Sequence, residues 1–202
     1  MRSFSFTMEE TRDIAISVAA LAVIFSYPGF LADPSLLALY FVVVLVAFMG
    51  HELSHKFTAV RLGFFSEYRM WPQGLFLALV MALATNGSIV FAAPGAVYFA
   101  SRWAFQSHIS KREVGMIGAS GPLFNIAAGT VSLAALFAFS PAGIVASVLA
   151  SLAFINAWLA IFNLVPFGPL DGAKVLKWNP VVWGAMLVSA IAMYGALFVL
   201  GA

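Results

Sequence analysis

The chain has 202 residues, of which 63% are hydrophobic and only 9% are charged, and its mean hydropathy is +1.01. Such a composition lies far outside the range of water-soluble domains and indicates a membrane protein. The formal net charge of +2 excludes an extended basic surface of the kind that binds nucleic acid. Because the chain has no cysteine, disulfides and thiolate sites are excluded, and any metal must be bound through nitrogen and oxygen.

Long uncharged stretches predict about five transmembrane helices, since a helix needs about 20 apolar residues to cross a bilayer. The predicted spans are residues 14–32, 35–58, 114–139, 142–165 and 181–201. Between the second and third spans, residues 74–85 are apolar but too few to cross, which predicts a re-entrant or interfacial helix. Residues 88–99 follow, and their pattern around a Pro-Gly turn predicts a short extended region of β type. The expected fold class is therefore an all-α polytopic membrane protein with one small β region.

The positive charges test this division of the chain independently. In the five-span arrangement, all ten lysines and arginines fall on one side of the membrane. Cytoplasmic loops carry the excess of positive charge, so the N-terminus of this integral, multi-pass protein is expected to be cytoplasmic. A sixth crossing at residues 75–84 would place Arg102, Lys111 and Arg112 on the opposite side, which favours the re-entrant interpretation.

The second predicted helix carries several ionisable residues, which are costly at membrane depth, in the sequence H-E-L-S-H at residues 51–55. His51 and His55 share one helix face, at the spacing with which two imidazoles bind one Zn²⁺. Glu52 lies about 100° around the helix from His51, where it can act on a water at the metal without being a ligand. The alternative is a pair of helix-end histidines, with Glu52 paired to Lys56.

A metal site needs a third ligand from elsewhere in the sequence. Asp171 follows prolines and glycines that must interrupt the fourth predicted helix near the same, cytoplasmic side of the membrane. Irregular backbone at this depth is tolerated only where it packs in protein or lines a wet cavity, so Asp171 is a candidate ligand. Its alternative is a solvated helix-end carboxylate facing Lys174. His108 and Glu113 are candidates by residue type, but both lie in a charged loop.

Three motifs taken together resemble the site-2 protease family of intramembrane zinc metalloproteases. They are H-E-L-S-H at residues 51–55, G-P-L-F-N at residues 121–125 and N-L-V-P-F-G-P-L-D-G at residues 163–172. Their order is that of the family, and the resemblance extends from Pro34 to about Lys177. We expect a single transmembrane protease domain over residues 1–202, with no appended soluble domain.

The resemblance implies a zinc endopeptidase that hydrolyses peptide bonds within or near transmembrane helices of membrane-protein substrates. It implies one Zn²⁺ per chain, with His51, His55 and Asp171 as ligands. Glu52 is implied to be the general base. Asn163 matches the family's asparagine, whose implied role is to stabilise the oxyanion or to orient the substrate.

Substrate-binding residues are expected in two places. The β region resembles the family's membrane-embedded strand, which presents an edge to the substrate. The candidates in this region are Ile89, Val90, Phe91, Ala96 and Val97. An unwound substrate could pair with this segment as an added strand, or the segment could only pack on the helices. Asn125 is the other candidate, with an interhelical hydrogen bond as its alternative.

Two other functions fit parts of the pattern. A zinc transporter needs ligands along a path through the membrane, whereas here all candidate ligands meet near one face. A proteolytically inactive relative that binds membrane helices is disfavoured because Glu52 is present together with all three implied ligands. The lipid bilayer and a transmembrane segment of a substrate are therefore the expected partners.

Overall fold

The computed structural model describes residues 4–90, 93–101 and 109–200, and the architecture is helical with one small sheet. Over these residues the helices are α1 (Met8–Ser26), α2 (Gly29–Ala32), α3 (Ser35–Arg61), α4 (Pro72–Ala84), α5 (Lys111–Phe139), α6 (Gly143–Leu164), α7 (Asp171–Trp178) and α8 (Pro180–Leu200). The strands are β1 (Phe64–Met70) and β2 (Gly95–Ser101). The predicted fold class, an all-α polytopic membrane protein with a short β region, is confirmed.

Among the described residues, four helices are long and apolar enough to cross a membrane. They are Ser35–Arg61, Lys111–Phe139, Gly143–Leu164 and Pro180–Val199. These helices match the second to fifth predicted spans to within a few residues. The apolar helix α4 has 13 residues and is too short to cross, in agreement with the expectation for residues 74–85.

The first predicted span, residues 14–32, is divided in the structure. α1 begins at Met8, so that its first two turns are charged, and it ends at Ser26, before the short helix α2. Because of these charged turns, α1 is not among the four apolar spans. Together α1 and α2 lie antiparallel to α3, from Glu10 beside Lys56 to Gly29 beside Leu36. A fifth crossing at this position stays a prediction.

The helix α5 is central, because it packs against α3, α6, α7 and α8. Small residues permit these close approaches. At Gly129, for example, an added Cβ atom would lie 2.5 Å from Sδ of Met193 on α8. The arrangement places one face of α5 directly against the part of α3 that contains His51 and His55.

The sheet differs in position from the predicted β region. β1 and β2 pair antiparallel, from Phe64 opposite Ser101 to Met70 opposite Gly95. Residues 88–90 are not a strand, so the prediction for the first part of the 88–99 region was wrong. The partner strand lies instead at residues 64–70, where the sequence pattern predicted none. The strand was not predicted because the groups that pair with its outer edge are carboxylates of α1, which is remote in sequence.

Candidate metal centre and active site

His51, His55 and Asp171 meet between α3 and the start of α7, and all three are buried. Oδ2 of Asp171 lies 3.3 Å from Nε2 of His51 and 2.9 Å from Nε2 of His55, and the two Nε2 atoms are 3.0 Å apart. Ligand atoms at zinc bond lengths of about 2.0–2.2 Å in a tetrahedron are separated by roughly 3.3 Å. The three atoms therefore have nearly the spacing of three corners of a zinc tetrahedron.

The ends of α6 and α7 place Asp171 at this point. The helix α6 ends at Leu164, whose carbonyl accepts a hydrogen bond of 2.8 Å from Nε1 of Trp183. Asp171 is the first residue of α7, after the irregular segment 165–170. At Gly172, an added Cβ atom would overlap the carbonyl of Leu164, so only glycine permits α7 to begin this close to the end of α6.

The other ring nitrogen of each histidine contacts an acceptor on α5. Nδ1 of His55 lies 2.7 Å from the carbonyl oxygen of Ile117, and Nδ1 of His51 lies 2.6 Å from Oδ1 of Asn125. Because these oxygens can only accept, each Nδ1 carries the hydrogen and each Nε2 carries a lone pair. Two lone pairs and a carboxylate oxygen thus face one another with no hydrogen between them. This donor set fits a divalent cation, with the imidazoles oriented by hydrogen bonds from behind.

Asp171 contacts both the histidines of the predicted metal site and Lys174, its alternative partner. Its Oδ1 lies 2.9 Å from Nζ of Lys174, while Oδ2 faces the histidines. Burial raises the pKa of this carboxyl, but nearby positive charge, that of Lys174 included, outweighs burial and holds the pKa well below its usual value. Asp171 is therefore an ionised carboxylate, as a metal ligand must be.

Glu52 lies beside the three ligands and has an unused acceptor. The residue is buried, and its Oε2 has no hydrogen-bond partner among the residues that the structure describes. Both Glu52 and the ligands line one cavity of about 250 Å³. The alternative pairing with Lys56 is wrong, because the ammonium group of Lys56 contacts Glu10 instead. A buried carboxylate with a free acceptor, on a residue that lines a cavity, can accept a proton from a molecule bound there.

Asn163 also lines this cavity, from the last turn of α6. Its Nδ2 donates a hydrogen bond of 3.0 Å to the carbonyl of Leu159 in the same helix. An amide nitrogen has two hydrogens, so this bond leaves one of them for a further acceptor. The structure thus brings Asn163 together with Glu52 and the candidate ligands around one space.

The predicted substrate-binding residues separate into two groups. Ala96 and Val97 of β2 line the cavity, whereas Ile89 and Val90 do not; Ile89 is exposed and Val90 packs against hydrophobic core residues. Phe91 lies outside the described residues. Ile89 and Val90 do not form part of the sheet, because the strand that pairs with β2 is β1, and their contact with substrate stays a prediction.

Asn125 does not line the cavity either, and its contact with substrate stays a prediction. Its side chain is fully buried behind His51, and its Nδ2 donates to the carbonyl of Ala47 and to Oδ1 of Asn156. The alternative of an interhelical hydrogen bond is therefore the one observed, with the addition of the contact to His51.

The other candidates for the third ligand are not at the site. Glu113 is exposed and its carboxylate accepts hydrogen bonds from the backbone nitrogen and hydroxyl of Ser110, in a capping box at the start of α5. His108 lies outside the described residues.

The contribution of Gly121 was missed by sequence reasoning. At Gly121, an added Cβ atom would lie 2.6 Å from Nε2 of His51 and closer still to Nε2 of His55. The absence of a side chain there leaves the space in which the ligand atoms meet. Gly121 lies four residues before Asn125 on the same face of α5, so the spacing within G-P-L-F-N was the available signal.

Comparisons with known proteins agree with this geometry. Residues 139–179, which include Asn163 and Asp171, match the model of peptidase family M50. Over 187 residues the chain is 38% identical to "Putative zinc metalloprotease MJ0611" of Methanocaldococcus jannaschii, with 91% of each chain covered. No solved structure matches the chain significantly. The chain belongs to peptidase family M50, the site-2 protease family of zinc metalloproteases, and it is a membrane protein.

Proposed function

We propose that this protein is an intramembrane zinc endopeptidase that cleaves peptide bonds in transmembrane segments of other membrane proteins. The observation that carries the proposal is the unpartnered Oε2 of Glu52, buried in a cavity beside three converging ligand atoms. Membership of the family and the helices long enough to cross a membrane support it. The lysines and arginines, which fall on one side in the five-span arrangement, support a position of this site toward the cytoplasmic side of the bilayer.

The metal site and Glu52 divide the chemistry between them. His51, His55 and Asp171 would hold one zinc ion, whose contribution is Lewis acidity that activates water and polarises a peptide carbonyl. Glu52 accepts the proton of a water molecule in the cavity at Oε2 and later donates it to the leaving amine. Asn163 donates its second amide hydrogen to the oxygen on which negative charge develops.

The edge of β2 provides a place for an unwound substrate. The opposite edge, on β1, is occupied because Glu10 and Asp13 of α1 accept hydrogen bonds from the backbone nitrogens of Tyr68 and Met70. In an antiparallel pair the backbone groups of alternate residues point toward the partner and away from it. The backbone groups of Tyr68 point away from β2. Val97 lies opposite Tyr68, so its backbone groups point away from β1, toward the outer edge of β2.

A peptide at this edge would extend the sheet by one strand. Within the described part of the chain, the outer edge of β2 has no backbone partner, and residues 95–99 line the cavity that contains Glu52. A transmembrane helix must unwind before its peptide bonds can be attacked, which frees backbone groups that cannot be left unpaired in lipid. Strand addition to β2 pairs these groups and brings the chain past the metal site.

The general-base assignment is tested with Glu52→Gln. A panel of single-span membrane segments is reconstituted in vesicles with the wild-type protein to select a substrate. We expect Glu52→Gln to lose about 10²-fold or more of the cleavage rate while it retains zinc. Glu9→Gln, which changes an exposed carboxylate on α1, is the control and should cleave as the wild type does. Unchanged cleavage by Glu52→Gln would contradict the proposal.

The edge of β2 is tested with proline, which removes one backbone N–H. Val97→Pro removes an outward group, and proline is tolerated on edge strands where the N–H faces away from the partner. Ala96→Pro instead removes a hydrogen bond to β1, because Ala96 lies opposite Arg69 in a bonded pair. We expect Val97→Pro to lower cleavage with zinc content and melting temperature maintained, and Ala96→Pro to lower the melting temperature. Wild-type cleavage by Val97→Pro would contradict strand addition.

A further inference from the structure

A chain of buried amide groups connects α6 to the imidazole of His51. Nδ2 of Asn156 donates to the carbonyl of Leu152 at 2.8 Å, and Oδ1 of Asn156 accepts from Nδ2 of Asn125 at 2.8 Å. Oδ1 of Asn125 in turn lies 2.6 Å from Nδ1 of His51. Asn125 and Asn156 are both fully buried, in helices that are long and apolar enough to cross the membrane. No sequence motif pointed to Asn156.

The direction of these hydrogen bonds is fixed by the carbonyl of Leu152, at the end of the amide series that is farthest from His51. The carbonyl of Leu152 can only accept, so Asn156 must turn its nitrogen toward it and its oxygen toward Asn125. Asn125 must then present its nitrogen to Asn156, and the same nitrogen also donates to the carbonyl of Ala47. Its oxygen is left facing His51, which must supply the hydrogen from Nδ1.

We propose that Asn125 and Asn156 are positioning residues that hold His51 in the tautomer with the hydrogen on Nδ1, so that the lone pair of Nε2 faces the metal. This inference rests on the proposed zinc site. The hydrogen-bond partner of a metal-binding histidine sets its ring orientation and tautomer, and loss of such a partner typically weakens metal binding about 10–100-fold. Asn156 never touches the histidine and acts only by orienting the amide of Asn125.

An interhelical contact alone would not require this polarity. A contact that only joined α5 and α6 would be complete with the hydrogen bond between the two amides. Here the carbonyls of Leu152 and Ala47 fix the orientation of both amides, and the acceptor that remains, Oδ1 of Asn125, faces Nδ1 of His51. A structural role and a positioning role therefore differ in what they predict for metal affinity.

The experiment measures zinc affinity of the full-length, metal-free chain in detergent by competition with a chelator, together with the absorption spectrum of the cobalt-loaded form. Asn125→Leu, which is close in shape, should weaken zinc binding about 10–100-fold. Asn156→Leu should weaken it about tenfold and alter the cobalt spectrum, although no group in contact with His51 has changed. Asn125→Asp keeps an acceptor for His51 and should retain more affinity than Asn125→Leu.

A matched control is available on α5. Ser132 is buried and its hydroxyl donates to the carbonyl of Ala128, so Ser132→Ala removes a partly buried hydrogen bond away from the metal site. It should leave both zinc affinity and the cobalt spectrum unchanged. Melting temperatures of all variants separate loss of affinity from loss of folding, and if Asn125→Leu fails to fold, Asn156→Leu and Asn125→Asp still decide the question.

Wild-type zinc affinity in Asn125→Leu or Asn156→Leu would overturn the proposal, as would a loss no larger than that in Ser132→Ala. Because no substrate is used, failure here is distinguishable from failure of the proposed function. A wild type that binds zinc but cleaves nothing would contradict the protease and leave the positioning role standing, whereas a wild type that binds no zinc would overturn both.

Discussion

The ammonium group of Lys56 lies 2.5 Å from Oε2 of Glu10, and both side chains are buried. Lys56 directly follows the candidate ligand His55, and the second oxygen of Glu10 accepts the backbone hydrogen of Tyr68 in β1. The carboxylate of Glu10 therefore links β1, the strand that pairs with β2, to the end of α3 that contains the metal site. The ring of Phe6, with its centroid 4.4 Å from the ammonium group, covers the pair.

Removal of one member of this pair should be strongly destabilising. Glu10→Gln leaves the buried Lys56 uncompensated, at an expected cost of about 3–5 kcal/mol in the free energy of unfolding. Glu10→Gln combined with Lys56→Met removes both charges and should recover part of that loss. Denaturant unfolding in detergent measures these values for the two single variants and the double variant.

The exposed pair of Glu9 and Arg69 provides the control for this comparison of the single and double variants. Their side chains are 65% and 35% exposed, so Glu9→Gln should change the free energy of unfolding by at most about 1 kcal/mol. If the effects of Glu10→Gln and Lys56→Met simply add in the double variant, the two residues are not energetically coupled and the interpretation is contradicted.

Gly121→Ala should abolish or greatly weaken zinc binding. The added methyl group would occupy the space where Nε2 of His51 and Nε2 of His55 meet, and the backbone of α5 cannot yield without losing its contacts with α3 and α6. Gly129→Ala on the same helix meets the flexible end of Met193 and should retain zinc. Zinc per chain is measured by mass spectrometry after dialysis. A Gly121→Ala variant that still carried one zinc ion per chain would contradict this interpretation.

Gly172→Ala should lower zinc affinity by a different route. Its Cβ would overlap the carbonyl of Leu164, so the first turn of α7 and the carboxylate of Asp171 must shift away from the histidines. Gly168→Ala is the matched control: it lies in the same segment at a φ of +57° with open space around it, and should cost about 1 kcal/mol of stability without loss of affinity. Equal zinc affinities for the two variants would contradict the proposal that Gly172 positions Asp171 beside the histidines.

The candidate site was predictable from the sequence because its signals are local. His51, Glu52 and His55 lie within one and a half helical turns, and the prolines and glycines before Asp171 mark a broken helix. In an apolar chain of this kind, few ionisable residues occur inside the spans, so those that do stand out.

The features that were not predicted depend on contacts between residues remote in sequence. β1 contains Glu67 and Arg69 and resembles a polar loop, and its outer edge is satisfied by Glu10 and Asp13, more than fifty residues away. The division of the first predicted span likewise places charged residues of α1 in buried pairs. Hydropathy treats such residues as the end of a helix, because it contains no term for a partner on another element.

The roles of Asn125 and Asn156 also depend on helix packing. Each asparagine alone is compatible with an interhelical hydrogen bond or a substrate contact. Only the arrangement of α3, α5 and α6 shows that Oδ1 of Asn125 faces His51.

The central claim, a zinc site formed by His51, His55 and Asp171, is tested most directly by the zinc content of purified Asp171→Ala, with wild type and Glu113→Ala measured in parallel. Glu113 serves as the control because its exposed carboxylate caps α5 away from the site. The account predicts one zinc ion per chain in the wild type and in Glu113→Ala, and far less than one in Asp171→Ala. Stoichiometric zinc in Asp171→Ala would contradict it.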